Sequence, residues 1–349
     1  TDFTISMWVK LSSAGEGIAN QDLMSKYEDD ENFWYIRTQG DGKFQFQAND
    51  GNSDVMGRSY STALTADVWN HCVVTGDRTN TSGGLKLYVN NVAESGNSSA
   101  TEINNNGRLY IARHNNAYGI SKITDVAIWN AVLDADNIEA IYNSGKPTNL
   151  TFDSGNYNNS SALRAYYKMG NGFFDDKASG AIHDQHDPGF GAELVDNGDF
   201  SQSLAESDWA APTSSGTDWT ISGGKATALG DGSVKYIQQD VGVVNNKTYR
   251  LSYDVVEMSL TNSGSPNVFL LSVASAFGST QLEYSVGTHV KYLVAKSDGA
   301  DDDPDLKIAI SGNANGGTIS IDNVSLKQVN GFPGLTSSMD VGDFTSDTP

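Results

Sequence analysis

"ITDVAIWNAVLDADNIEAIYNSG", residues 123–145, is the stretch from which the fold is read. Val126 and Ile128 alternate with Ala127 and Trp129, which is the two-residue period of a strand. Past Leu133 the period changes. Leu133, Ile138 and Ile141 fall near helical spacing, and Asp134 stands where an N-cap belongs. Gly145 offers a C-terminal stop, and Pro147 forbids continuation. A strand that runs directly into one short helix, in a chain that otherwise reads as strands and turns, closes a β-sandwich by covering an open end of it.

The sequence before this stretch has the same character. "FTISMWVKL" (3–11) places Phe3, Ile5, Met7 and Val9 on one face and Thr4, Ser6, Trp8 and Lys10 on the other. "FWYIRT", "KFQFQA", "WNHCVVTGD", "LKLYVNN" and "LYIARH" follow as short strands, separated by turn signals at 40–42, 49–52, 82–84 and 104–107. Residues 1–146 therefore form one sandwich. Residues 147–192 read as a polar connector with one strand, "LRAYYKMG" (163–170), that has no sequence neighbour to pair with and is predicted to complete the first sheet. Residues 193–329 read as about eight strands, the count of a jelly roll, and 330–349 as a tail. The fold class is all-β: two antiparallel β-sandwich domains with one helix closing the first. The chain opens inside a strand pattern, which reads as the start of a fragment or of a processed segment.

Composition narrows the function. Among 349 residues the formal net charge is −21, the wrong sign for binding phosphates, so nucleic acid is set aside. Such charge suits a salty medium, where screening makes it tolerable. No apolar run approaches a membrane span. Cys72 is the only cysteine, so no disulfide forms within the chain. It falls in a strand pattern where a free thiol acts as a small hydrophobe, with His71 aimed at the opposite face.

Catalytic patterns are scarce. Retaining glycosidases of sandwich fold need carboxylates alternating along one strand, about 5 Å apart, and no strand here has that spacing. "KYEDDEN" (26–32) reads as a solvated turn, and "SDGADDDPD" (297–305) as a solvated loop without the glycine and distal glutamate of an EF-hand. "IHDQHD" (182–187) offers His183, Asp184, His186 and Asp187, all metal-ligand types, but no third histidine. Sugar binding needs aromatic faces beside a few polar groups. The candidates are Trp209, Trp219 and Tyr236 in the second domain, with Trp219 also placed to be a core anchor. In the first, Arg113, His114, Asn115 and Tyr118 lie on the loop "ARHNNAYG".

Three resemblances add to this. "FTISMWVKL", "WNHCVVTGD", "GLKLYVNNV" and the closing stretch, in that order, resemble the laminin G-like, concanavalin A-like family; the family's first strand is missing at the front, and "LRAYYKMGNG" is similar to it. "ELVDNGDFSQSLAESDW", "YIQQDVGVVNNKTYRLSYDV" and "GGTISIDNVSLKQV" resemble jelly-roll carbohydrate-binding modules found beside bacterial xylanases and glucanases. That likeness implies a structural calcium, for which Asp199 and Asp322 are the ligands in line, although Ser201 stands where the family commonly has glutamate. The domain order, with "GLTSSMDVGDFTSDTP" at the end, resembles virion proteins of marine bacteriophages. It implies a non-enzymatic structural protein of the virion surface, a capsid decoration or tail-associated fibre. Its partners are other virion proteins and cell-surface glycans, and by analogy it forms a trimer. The competing reading is a secreted bacterial adhesin or the carbohydrate-binding region of a polysaccharide-degrading enzyme.

Overall fold

A computed structural model describes residues 2–12, 21–50, 54–101, 103, 105–114, 117–118, 121–211, 219–261, 271–296, 306–337, 339, 341–344 and 346–349. They divide into two compact units. Unit 1 comprises 1–177, 182–187 and 336–349; unit 2 comprises 178–181 and 188–335. Most of the stretch read as a connector thus belongs to unit 1, and so does the end of the tail.

Unit 1 contains strands β1 (Phe3–Lys10), β2 (Asp22–Tyr27), β3 (Asn32–Thr38), β4 (Lys43–Asp50), β5 (Asp54–Ala63), β6 (Trp69–Gly76), β7 (Leu85–Val89), β8 (Val92–Gly96), β9 (Arg108–Ile111), β10 (Arg113–His114), β11 (Ala117–Tyr118), β12 (Lys122–Trp129) and β13 (Leu163–Tyr167), with helix α1 (Ala135–Tyr142) between the last two. One sheet has the order β13-β12-β1-β6-β7-β8 and the other β5-β4-β3-β2-β9. Between them lies a core that includes Ile5, Met7, Val9, Met24, Ile36, Phe44, Phe46, Cys72, Val74 and Val126. Each large apolar side chain removed from water there contributes roughly 1.5–3 kcal/mol.

The six-stranded sheet is buried on its other face too. Val73, Tyr88, Ala127, Trp129 and Tyr166 form a second cluster with Leu133, Ile138 and Ile141 of the helix segment and with Leu150 and Tyr157. The helix therefore covers the back of a sheet; it does not plug an open end. This explains why β1 is buried at six successive positions although its sequence alternates. Thr4, Ser6 and Trp8 face the helix layer instead of water.

The helix begins as its sequence dictates. Asp134 caps it, its Oδ1 accepting from the Asn137 amide at 2.9 Å. It ends at Tyr142, three residues before Gly145, because Asn143 adopts the left-handed conformation (φ 44°) and donates its amide to the Glu139 carbonyl. β13 pairs with β12, Ile128 opposite Ala165 and Val126 opposite Tyr167. Its outer edge is clasped by the 182–187 stretch: the Tyr166 amide donates to Asp184 Oδ1 at 2.8 Å, and the Gln185 amide to the Tyr166 carbonyl at 2.6 Å. Covering an edge in this way denies it to other chains.

Unit 2 is a second antiparallel sandwich. Its larger sheet runs Trp219–Ile221, Ala226–Asp231, Asn315–Val329, Thr248–Met258, Gly287–Val294, with Phe190–Glu193 also paired to Asn315–Val329. Its smaller sheet runs Lys235–Gln239, Leu306–Ile310, Leu271–Ala274, Thr280–Gln281. Phe200, Trp209, Trp219, Tyr249, Tyr253 and Phe277 fill the space between them.

Candidate functional site

β2, β3, β4 and β9 each send alternate side chains away from the unit 1 core. On β3, Ile36 points inward, so Phe33, Tyr35 and Arg37 stand on the other face. On β4, Phe44, Phe46 and Ala48 point inward and Gln45, Gln47 and Asn49 outward. Strand register then aligns a row across the sheet: Tyr110, Ser25, Tyr35, Gln47, Gly57. A second row runs Arg108, Tyr27, Phe33, Asn49.

These side chains hold one another in place. The Phe33 and Tyr35 rings stack with centroids 5.4 Å apart and planes within 5°. The Arg37 guanidinium lies 4.2 Å from the Tyr35 centroid, and its Nε donates to Gln45 Oε1 at 3.3 Å. The Tyr35 hydroxyl donates to Gln47 Oε1. Asp22 stands opposite Arg37 across the strands. Arg113 lies over the Tyr110 ring at 4.6 Å, and its carbonyl accepts from Ser25 Oγ. Tyr35 is buried; Phe33, Arg37, Gln45, Gln47, Asn49, Tyr110 and Arg113 are half-buried. The face is a fixed platform of ring edges, guanidinium groups and amides. Such planar groups match pairs of neighbouring hydroxyls, and their stacking removes much of the entropy cost of ordering them.

Of the residues singled out from sequence, Arg113 belongs to this platform. His114 and Tyr118 lie on the short β10–β11 pair beside it, and Asn115 lies outside the described residues. The acidic loop 297–305 also lies outside them. Trp209 and Trp219 are corrected: at 3% and 2% exposure both are core residues, and neither presents a face to a sugar. Trp209 packs on Phe200 at 5.5 Å and its Nε1 donates to the Asn197 carbonyl. Tyr236 is half-buried on the outer face of the smaller sheet of unit 2, opposite the short side chain of Ala309, with Lys307 Nζ 5.4 Å from its ring centroid.

The metal ligands read from sequence have other work. Asp199 is exposed, and its Oδ1 accepts from the amide and hydroxyl of Ser201. Asp322 Oδ1 accepts from the Asn323 amide. The "NGDF" motif is a backbone clasp: a Cβ on Gly198 would meet the Val324 carbonyl oxygen at 1.9 Å, and the Gly198 carbonyl accepts the Val324 amide at 2.8 Å. Asp184 holds the edge of β13, and His183 and Asp184 are buried. Among the described residues no three His, Cys, Asp or Glu side chains gather where they could hold a metal ion.

Cys72 is buried, and burial pushes its thiol up, away from the reactive thiolate. A cleft of about 430 Å³ lies on α1, lined by Glu139, Asn143, Thr148, Ser154, Asn156 and Tyr157. Its one aromatic, Tyr157, is buried and offers no ring face. Among the described residues no helix is long and apolar enough to cross a membrane.

Comparison with known proteins agrees with the architecture of unit 1. Residues 1–139 match the Laminin_G_3 family, described as the concanavalin A-like lectin/glucanases superfamily. No curated protein matches the chain. Similar solved structures include the heptameric SAP-like pentraxin of Limulus polyphemus (11% identity, 40% of this chain and 69% of that one, TM-score 0.31). The CBM40 of the Ruminococcus gnavus IT-sialidase is similar at 16% identity over 40% of this chain and 82% of that one (TM-score 0.32). A botulinum neurotoxin type C structure is similar at 13% identity over 95% of this chain and 78% of that one (TM-score 0.32). At these TM-scores the structural likenesses carry no argument about ligands.

Proposed function

We propose that the chain is a non-catalytic glycan-recognition protein that serves as a structural component of a bacteriophage virion surface, on the capsid or the tail. One observation carries the recognition: the half-buried Phe33, Arg37, Gln45, Gln47 and Asn49 are held in place around the buried Tyr35 ring on one sheet face. The match of unit 1 to a family of lectins and glucanases supports it. The virion setting rests on the resemblance in domain order and tail, with neighbouring virion proteins as partners. The same family match favours a second reading, a secreted adhesin or the binding region of a polysaccharide-degrading enzyme.

Two measurements test these. On a glycan array the wild-type chain binds a defined sugar set, and Arg37→Ala and Arg113→Ala each weaken it about tenfold while melting as wild type does. A wild-type chain that binds no glycan sinks the recognition reading. Mass spectrometry of purified virions that lack the chain sinks the virion setting and leaves the secreted one.

A further inference from the structure

Trp69, Lys10 and Lys122 lie in one cross-strand row on β6, β1 and β12. Two ammonium groups directly opposite one another repel, and a sheet that places them so needs an anion between them. The anion is Asp347. Its Oδ2 accepts from Lys122 Nζ at 2.7 Å and from Lys10 Nζ at 3.0 Å, and its Oδ1 accepts from Trp69 Nε1 at 3.2 Å. Lys122 and then Lys10 hold this carboxyl far below the usual carboxylate range.

Three residues earlier, Phe344 packs on the unit 1 core. It sits over Gly170, where a Cβ would meet Phe344 Cδ1 at 2.4 Å, and Lys177 Nζ lies 5.8 Å from its ring centroid. Gly170 has φ +98°, so that position excludes other residues on both counts. A notch and a three-donor cradle thus receive an aromatic and a carboxylate at fixed spacing.

The receiving residues, 10, 69, 122, 170 and 177, are all remote in sequence from the segment they hold. The chain leaves unit 1 after Asp187 and re-enters it at Thr336. A segment joined to its receptor only through such an excursion makes identical contacts whether it comes from the same chain or from another. We propose that unit 1 carries an acceptor site for an aromatic–x–x–aspartate peptide, filled here by Phe344 and Asp347 of its own chain and open to the same segment of a second copy. The inference is independent of the glycan platform.

The test uses full-length chains. Phe344→Ala/Asp347→Ala empties the acceptor, and Lys10→Glu/Lys122→Glu disables it. A fluorescein-labelled peptide of residues 336–349 binds the first variant saturably by anisotropy, and adding Lys10→Glu/Lys122→Glu to that variant weakens binding about tenfold or more. An equimolar mixture of the two double variants sediments as a one-to-one complex, because the free segment of one enters the vacant acceptor of the other. If the double alanine variant misfolds, Asp347→Asn alone replaces it. Absence of peptide binding by a folded variant, affinity indifferent to the lysine reversals, or a mixture that stays monomeric each overturns the proposal.

Discussion

His71 shows what a single buried side chain imposes. Its ring neighbours that of Trp8, its cross-strand partner, at 4.8 Å and that of Tyr142 at 5.9 Å, those two being 6.1 Å apart, and its Nε2 meets Ser6 Oγ at 2.8 Å. Its Nδ1 has no partner among the described residues. Desolvation pushes its pKa down to about 3. An unfolded histidine takes up a proton below about 6.5, so between those values the unfolded state binds more protons than the folded one. Stability from this group therefore falls as pH drops from about 6.5 toward 3, by about 1.4 kcal/mol per pH unit at most. His71→Gln, which keeps a partner for Ser6, flattens the acid limb of a stability–pH curve by up to one proton. Superimposable limbs for the two proteins refute this. Alternation on β6 already placed His71 and Cys72 on opposite faces; the ring stack over His71 was not legible, because Tyr142 reaches it from another element. Trp209 and Trp219 carry the same lesson from the other side. An indole in a β-rich chain reads equally as ligand platform or core filler, and only the sheet register separates the two.

At the scale of elements, most strands and the helix announce themselves through period and caps. Asp134 and the Leu133, Ile138, Ile141 spacing needed no tertiary information. What the helix covers did. Alternation on β1 reads as one wet face, and only the helix layer, supplied by residues 133–157, makes Thr4, Ser6 and Trp8 interior. Ile138 is fully buried in that layer. Ile138→Asp places an unpaired carboxylate there, at a cost of several kcal/mol. Calorimetry of this variant is expected to lose the unit 1 transition and keep that of unit 2; loss of both contradicts the division into units. Of the platform proposed for recognition, only the strands and Arg113 were legible. "FQFQAN" alternates plainly, and "FWYIRT" reads as a strand, but the joining of Arg37 to Gln45 and of Tyr35 to Gln47 depends on the β3–β4 register. The 182–187 stretch offers ligand-type side chains, but Asp184 accepts the Tyr166 amide across 18 residues of sequence, a partner no local pattern shows.

For the molecule as a whole, a net charge of −21 acts on both units at once. Self-repulsion opposes compaction, and salt screens it over a Debye length of about 10 Å at 0.1 M. Melting temperatures are expected to rise between about 0.01 M and about 0.3 M sodium chloride. A fall on adding salt would show that ion pairs such as Lys10–Asp347 and Lys122–Asp347 outweigh the repulsion.

The return of residues 336–349 to unit 1 also has a mechanical consequence. Tension applied between Phe3 and Asp347 is carried by unit 1 alone, through the Lys10 and Lys122 anchors on β1 and β12. Residues 188–335 lie between the two anchored ends along the covalent chain and bear no tension while the anchor holds. Unit 2 feels force only after the anchor yields, so the two lysines act as the fuse that decides which unit is stretched first.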